Sequence, residues 1–221
     1  MKNQSKKVYA IIPSAGSGTR FDATLPKQYF NINEELIIEK TINQFLKIDE
    51  IEKIIVPLGE KDKIFSNLGI AKNEKVKSIL GGKTRAESVL NALENIKENS
   101  LVIVHDAVRP FISTDMIKNL IKDFDEKTDD ALIYGIPIYE ALKKIDPDTF
   151  SIKKSVDRNR YYLAQTPQVC LSSVLEESIN FCLKDNYYPG DESEAIEKTG
   201  GKIRFLPGHR SNIKITVQED L

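Results

Sequence analysis

An open, doubly wound, mostly parallel α/β sheet with a protruding β-hairpin arm is the fold class that this sequence predicts. Three observations lead there. Short β-branched runs alternate with longer amphipathic ones through residue 138. The short runs are almost continuously apolar, as in strands covered on both faces. One lysine-rich stretch after them, residues 139–157, breaks the alternation and reads as a hairpin.

The expected strands are residues 8–13, 53–58, 76–80, 101–105 and 131–138. Between them, Thr84-Arg85-Ala86-Glu87 has the capping-box spacing, and Ala86, Val89, Leu90, Leu93 and Ile96 then form one stripe. Ser113-Thr114 opens a second helix with Met116, Ile117, Leu120, Ile121 and Phe124 on its apolar side. A third is expected to be capped by Ser173 with Glu176, followed by Ile179, Cys182 and Leu183. The hairpin should pair 139–145 with 151–157 around Asp146-Pro147-Asp148. An isolated hairpin is marginal in water, so it must lean on its own domain or on another subunit.

At 221 residues the chain fits one domain, 1–221, with 139–158 as an insertion in it. Forty per cent apolar residues supply a real core and exclude global disorder. Thirty-two Lys+Arg against 33 Asp+Glu leave a net charge of −1, which removes any generic electrostatic case for nucleic acid or an anionic membrane. The apolar runs are far shorter than the ~20 residues a membrane span requires. The basic start, Met1 to Lys7, is expected to be a charged lead-in to a strand and not a signal peptide. Cys170 and Cys182 form no CxxC and no disulfide framework; a reduced, cytoplasmic setting is expected, with both thiols packed as small apolar groups.

Chemistry concentrates after the first strand, in Pro13-Ser14-Ala15-Gly16-Ser17-Gly18-Thr19-Arg20-Phe21. Small residues let backbone N–H groups approach an anion, and Arg20 adds a fork for phosphate. The loop is not a dinucleotide fingerprint, because Phe21 occupies the third glycine position, and no Gly-Lys-Ser/Thr closes it as a Walker A loop. Pro26-Lys27-Gln28 supplies a second cation that could fold back over it. Asp106 follows a strand, where open α/β sheets place their ligands. His105 should face away from Asp106 and be structural, and His209, in a Gly-His-Arg turn, is expected to be a loop residue.

These segments, together with Gly81-Gly82-Lys83-Thr84-Arg85-Ala86-Glu87-Ser88, His105-Asp106-Ala107-Val108-Arg109-Pro110, Val156-Asp157-Arg158-Asn159, Gln165-Thr166-Pro167-Gln168, Asp191-Glu192 and Asn212-Ile213-Lys214-Ile215-Thr216, follow one another in a family-specific order. The chain resembles the 2-C-methyl-D-erythritol 4-phosphate cytidylyltransferases of the non-mevalonate isoprenoid pathway, which have a Rossmann-like nucleotidyltransferase fold. The resemblance implies transfer of a cytidylyl group from CTP to a polyol phosphate. It assigns the nucleotide to Pro13, Ser14, Ala15, Gly16, Gly18, Gly82, Lys83, Ser88 and Ala107, and the catalytic cations to Lys27, Lys214 and Arg20. It further assigns Mg²⁺ to Asp106, the acceptor to Arg109, Arg158 and Thr166, and homodimerisation to the arm, whose Arg158 would reach the partner subunit's acceptor.

Three positions depart from the family pattern. Lys83 stands where an acidic residue is frequent, Ala141 where a threonine meets the acceptor phosphate, and Gly190 where a threonine precedes Asp191-Glu192. A related acceptor such as ribitol 5-phosphate therefore stays open, as does a non-catalytic nucleotide-binding module on the same fold.

Overall fold

The computed structural model describes residues 6–16, 25–97 and 99–220. Eleven strands and five α-helices are found among them. In chain order they are β1 (Val8–Ile11), β2 (Asn31–Ile32), β3 (Glu35–Leu36), α1 (Ile37–Leu46), β4 (Ile51–Leu58), β5 (Val76–Leu80), α2 (Arg85–Leu93), β6 (Leu101–Val104), α3 (Thr114–Asp123) and β7 (Ala131–Pro137). The rest are β8 (Lys143–Ile145), β9 (Ile152–Ser155), β10 (Tyr162–Leu171), α4 (Ser172–Lys184), α5 (Glu192–Lys198) and β11 (Ile203–Pro207).

Seven strands make one sheet in the order β11-β7-β10-β6-β1-β4-β5. All neighbours run parallel except β10, which is antiparallel to both β6 and β7. Every residue of β1 and β6 is buried, which is why their sequences are apolar throughout. Helices α1 and α3 cover one face with Ile38, Ile42, Phe45, Ile117 and Leu120. The other face carries α2, α4 and α5 through Val89, Leu93, Leu175, Ile179, Cys182 and Ile196. Both cysteines are buried and free, as expected.

Local sequence signals account for most helix starts. Thr84 Oγ1 accepts from the Glu87 N–H while the Glu87 carboxylate accepts from the Thr84 N–H, the complete capping box. Ser113 and Asp191 cap α3 and α5 with one bond each, accepting from the Met116 and Glu194 N–H groups. Helix α4 is a correction: it starts at Ser172 with Leu171 in the cap position and no side-chain cap. Ser173 lies inside the helix, and its hydroxyl is 3.2 Å from Asn99 Oδ1 instead.

β8 and β9 form their own two-stranded sheet, paired Lys143 with Ser155 and Lys144 with Lys154. Apolar side chains stand in the open on and beside it: Phe150 is 79% exposed and Ile152 65%.

Candidate active site

At the carboxyl ends of β1, β5 and β6 lies a cavity of about 210 Å³. The chain order reverses here, with β4 on one side of β1 and β6 on the other, the place where open α/β sheets bind ligands. Its wall brings together Pro13, Ser14, Ala15 and Gly16 with Lys27, Gly82, Lys83, Ser88, Asp106, Ala107 and Lys214, all of them expected from the sequence. Gly18 and Arg20 lie outside the described residues.

The first loop is held by backbone. The Ser14 N–H donates to Pro57 O at 2.8 Å, and the Gly81 N–H to Leu58 O at 2.8 Å, so the loops after β1 and β5 are pinned side by side. Their contact is close: a Cβ on Gly81 would sit 2.7 Å from the Ala15 Cβ, and one on Gly82 would sit 2.3 Å from the Glu87 Cβ. Ser88 is buried, accepting from the Gly82 N–H at 3.0 Å and donating to Thr84 O at 2.8 Å. Its hydroxyl thus holds the glycine loop on the capping box. Gln28 does the same for the first loop, donating to Ser14 O at 2.9 Å and Gly16 O at 3.4 Å. The motif drew attention to Lys27, but its neighbour is the residue that fixes the loop's shape.

Lys214 reaches the cavity because its neighbour Ile215 is fully buried beside Ile37 and Val108. The Ile215 N–H donates to Val108 O at 2.9 Å, and Lys27 Nζ donates to Ile215 O at 3.2 Å. Two lysines distant in sequence are thereby gathered on one rim.

Asp106 is the centre of charge. Lys214 Nζ is 2.9 Å from Oδ2, Arg109 Nε 3.5 Å from Oδ2, and Arg85 Nε 3.3 Å from Oδ1. Burial would raise this carboxyl, but the Arg85, Lys214 and Arg109 cations outweigh it and hold the group well below the usual carboxylate range. The Asp106 backbone N–H donates to Thr166 Oγ1 at 3.0 Å.

Two residues assigned by resemblance to the acceptor are therefore engaged within the protein. Arg109, its side chain 11% exposed, also donates to Asn212 O at 2.8 Å, and Thr166 is buried. Neither forms part of the cavity wall among the described residues. Arg158 sits on the exposed arm, where its guanidinium donates to Tyr139 O. His105 is fully buried, its ring tilted against that of Phe45 with centroids 5.2 Å apart, and its Nε2 is 3.1 Å from Arg109 O. Burial lowers its pKa to about 4, so it is a neutral structural residue, as the strand period suggested. His209, exposed in its loop, pairs with the Ser211 hydroxyl at 2.6 Å.

Arg85 was unassigned from sequence. It lines the cavity and joins Asp106 to Glu192, whose carboxylate accepts from Nη1 at 2.6 Å and Nη2 at 3.1 Å. Burial opposes its charge, yet the Glu192 and Asp106 carboxylates keep the guanidinium firmly protonated.

Comparison with known proteins identifies the family. The family model described as IspD, 2-C-methyl-D-erythritol 4-phosphate cytidylyltransferase, matches residues 8–221. A relative bearing that name in Actinobacillus pleuropneumoniae serotype 7 (strain AP76) is 35% identical over 217 residues, covering 98% of this chain and 94% of its own. One in Acinetobacter baylyi is 36% identical over 219 residues, covering 97% and 90%. The crystal structure of the Francisella tularensis 2-C-methyl-D-erythritol 4-phosphate cytidylyltransferase superposes with a TM-score of 0.80 at 32% identity, covering 97% of this chain and 96% of that one. That of the Anaerococcus prevotii 4-diphosphocytidyl-2C-methyl-D-erythritol synthase gives 0.81 at 27%, covering 97% and 94%. By its sequence along nearly its whole length and by its fold, the chain belongs to the 2-C-methyl-D-erythritol 4-phosphate cytidylyltransferase family.

Proposed function

We infer that this chain is a CTP-dependent transferase that moves the cytidylyl group onto 2-C-methyl-D-erythritol 4-phosphate, giving 4-diphosphocytidyl-2-C-methyl-D-erythritol and pyrophosphate. Family membership carries the reaction. The observation that carries the site is the convergence of Lys27, Lys214 and Asp106 on the cavity below the glycine loop. A non-catalytic module would have no use for that constellation.

The attacking group is a phosphate monoester, already ionised at pH 7, so a general base would add little. The barrier lies in bringing one anion onto another and in the charge that gathers as the bond to pyrophosphate breaks. A new bond forms between the acceptor oxygen and the α-phosphorus; the electron pair of the broken bond leaves on pyrophosphate. Lys27 and Lys214 flank the α-phosphate in this reading, and the loop N–H groups of Ala15 and Gly16 hold the outer phosphates with Arg20. Gly82, Lys83 and Ala107 form the nucleoside end.

Asp106 suits Mg²⁺. It is ionised, it lines the cavity, and its Oδ2 is shared with a half-exposed lysine that can turn to a phosphate. Among the described residues no cluster of three acidic, His or Cys side chains could form a cage. A single carboxylate completed by phosphate oxygens and water is the usual arrangement for this ion. When bound there, the ion would neutralise phosphate charge. Asp106→Asn should raise the Mg²⁺ concentration needed for half-maximal turnover; an unchanged requirement would exclude this assignment.

The arm completes the reading. Leu142, Ile145, Ile152 and Val156 would be covered in a homodimer of exchanged hairpins, with Arg158 serving the partner's acceptor phosphate. The buried free thiols fit a reducing cytoplasm. Pyrophosphate release with CTP against a panel of polyol phosphates tests the assignment. The methylerythritol phosphate should give the highest kcat/KM. Preference for ribitol 5-phosphate would move the acceptor, and release with none of them would refute the transferase.

A further inference from the structure

Glu192 is not part of the cavity wall among the described residues, yet it is an acidic side chain only 2% exposed behind it. It begins α5, and that helix is fixed to the sheet: Asp191 caps it through the Glu194 N–H at 2.8 Å, and the Ser193 N–H donates to Oε1 of fully buried Gln168 at 2.8 Å. Its carboxylate takes both terminal nitrogens of Arg85, at 2.6 and 3.1 Å. Only Nε of that guanidinium is left to face Asp106, and it meets Oδ1 alone, at 3.3 Å.

A buried ion pair rarely stabilises a fold more than apolar side chains of the same volume. Packing α5 on the sheet therefore gives no reason for this one. The fork of Arg85 does. A guanidinium presents paired N–H groups that match a carboxylate with two parallel bonds. Without Glu192, the fork of Arg85 could turn onto Asp106 and take both of its oxygens, including the Oδ2 that Lys214 now holds at 2.9 Å.

We propose that Glu192 is a positioning residue for cytidylyl transfer: it holds Arg85 so that Asp106 keeps Oδ2 for Lys214, which it thereby presents to the substrate phosphates. This rests on the transferase reading above. Glu192 ties α5 to the charge centre of the cavity without meeting the substrate, and the effect of its loss should fall on turnover more than on nucleotide binding.

Three proteins decide it: the wild-type chain, Glu192→Gln, and the double variant Arg85→Met/Glu192→Leu, which replaces the ion pair by apolar side chains. Each is measured for thermal unfolding, for CTP affinity by calorimetry, and for kcat and KM of pyrophosphate release. Glu192→Gln should keep its CTP affinity within about threefold while kcat falls 10- to 100-fold. Measured well below its melting temperature, Glu192→Gln should still be slow; a kcat within threefold of wild type there would overturn the proposal. The double variant, which has no fork to take Oδ2, should turn over faster than Glu192→Gln. A double variant no faster than the single one would show that the freed fork is not the cause and would also overturn it. Should Glu192→Gln not fold, the double variant decides alone: its kcat should stay within about tenfold of wild type, and a greater fall overturns the proposal. Wild-type chain that transfers nothing would instead refute the transferase reading, and the positioning role with it.

Discussion

Lys214 and Asp106 face each other at 2.9 Å across the cavity, and each has a second attachment that limits where it can go. Lys214 follows the main chain anchored at Ile215, while Asp106 is held by Arg85, Arg109 and Thr166. The lysine side chain is 43% exposed and the aspartate 10%. The aspartate is thus the fixed partner and the lysine the movable one, free to exchange a carboxylate for a phosphate when substrate arrives.

Lys214→Ala and Lys27→Ala should each lower kcat much more than they weaken CTP binding. Cations aimed at charge that develops on the α-phosphate act mainly in the transition state. By analogy with a lost oxyanion donor, each should cost ~3–4 kcal/mol there, a fall of two to three orders of magnitude in kcat. Steady-state kinetics beside calorimetric CTP affinity separates the roles. Near-normal kcat with collapsed binding would make that lysine a ground-state anchor.

Gly82→Ala should damage nucleotide binding and leave the fold standing. The added Cβ would meet the Glu87 Cβ at 2.3 Å and its carbonyl carbon at 2.9 Å, so the loop must move off the capping box. CTP affinity should fall at least tenfold, while loss of the cap lowers stability by about 1 kcal/mol. Unchanged affinity in this variant would remove the Gly82 loop from the nucleotide site.

His105 should make the protein less stable in mild acid. Its pKa is lowered from 6.5 to about 4 by burial, so between those values the unfolded chain binds the proton and the native one does not. Stability from this group is complete above pH 6.5 and is lost as pH falls toward 4, by about 3 kcal/mol at most. Chemical denaturation from pH 7 to 4 should show the loss, with a shallower slope in His105→Gln. Equal slopes would assign the acid sensitivity to other groups.

The parts of this fold that were legible in the sequence are those with local causes. Strands β1, β6 and β7 are apolar on both faces, and Thr84 and Ser113 cap with their own side chains. Helix α1 escaped notice because Leu36 precedes it with no side-chain cap. Strand β10 did so because Gln165, Thr166 and Gln168 are polar and Pro167 interrupts the pattern, yet all three polar residues are buried in a central strand. Gln165 donates to the carbonyls of His209 and Asn212, which no reading of neighbours along the chain could show. The same holds at the site. Lys27 and Lys214 were recognisable from their motifs, whereas the inward roles of Arg109 and Thr166, and the link from Arg85 to Glu192, exist only where distant segments meet.

Mixing Arg158→Ala chains with Lys27→Ala chains should restore activity that neither parent has. Arg158 lies on the exposed arm and Lys27 in the cavity of the same chain. In a dimer of exchanged arms the mixed pair holds one site with both residues intact. Up to about a quarter of wild-type activity is expected from the statistics of mixed dimers. No recovery after verified subunit exchange would place Arg158 outside the partner's site.

In the proposed reaction the acceptor phosphate attacks the α-phosphorus of CTP directly, in the cavity around Asp106. Acceptor carrying ¹⁸O in its terminal phosphate oxygens, followed by ³¹P NMR and mass spectrometry, tests it most directly. Direct attack gives a cytidine diphosphate ester with ¹⁸O in the bridge between its two phosphorus atoms and pyrophosphate free of label. Labelled pyrophosphate, an unlabelled bridge, or no ester at all would contradict it.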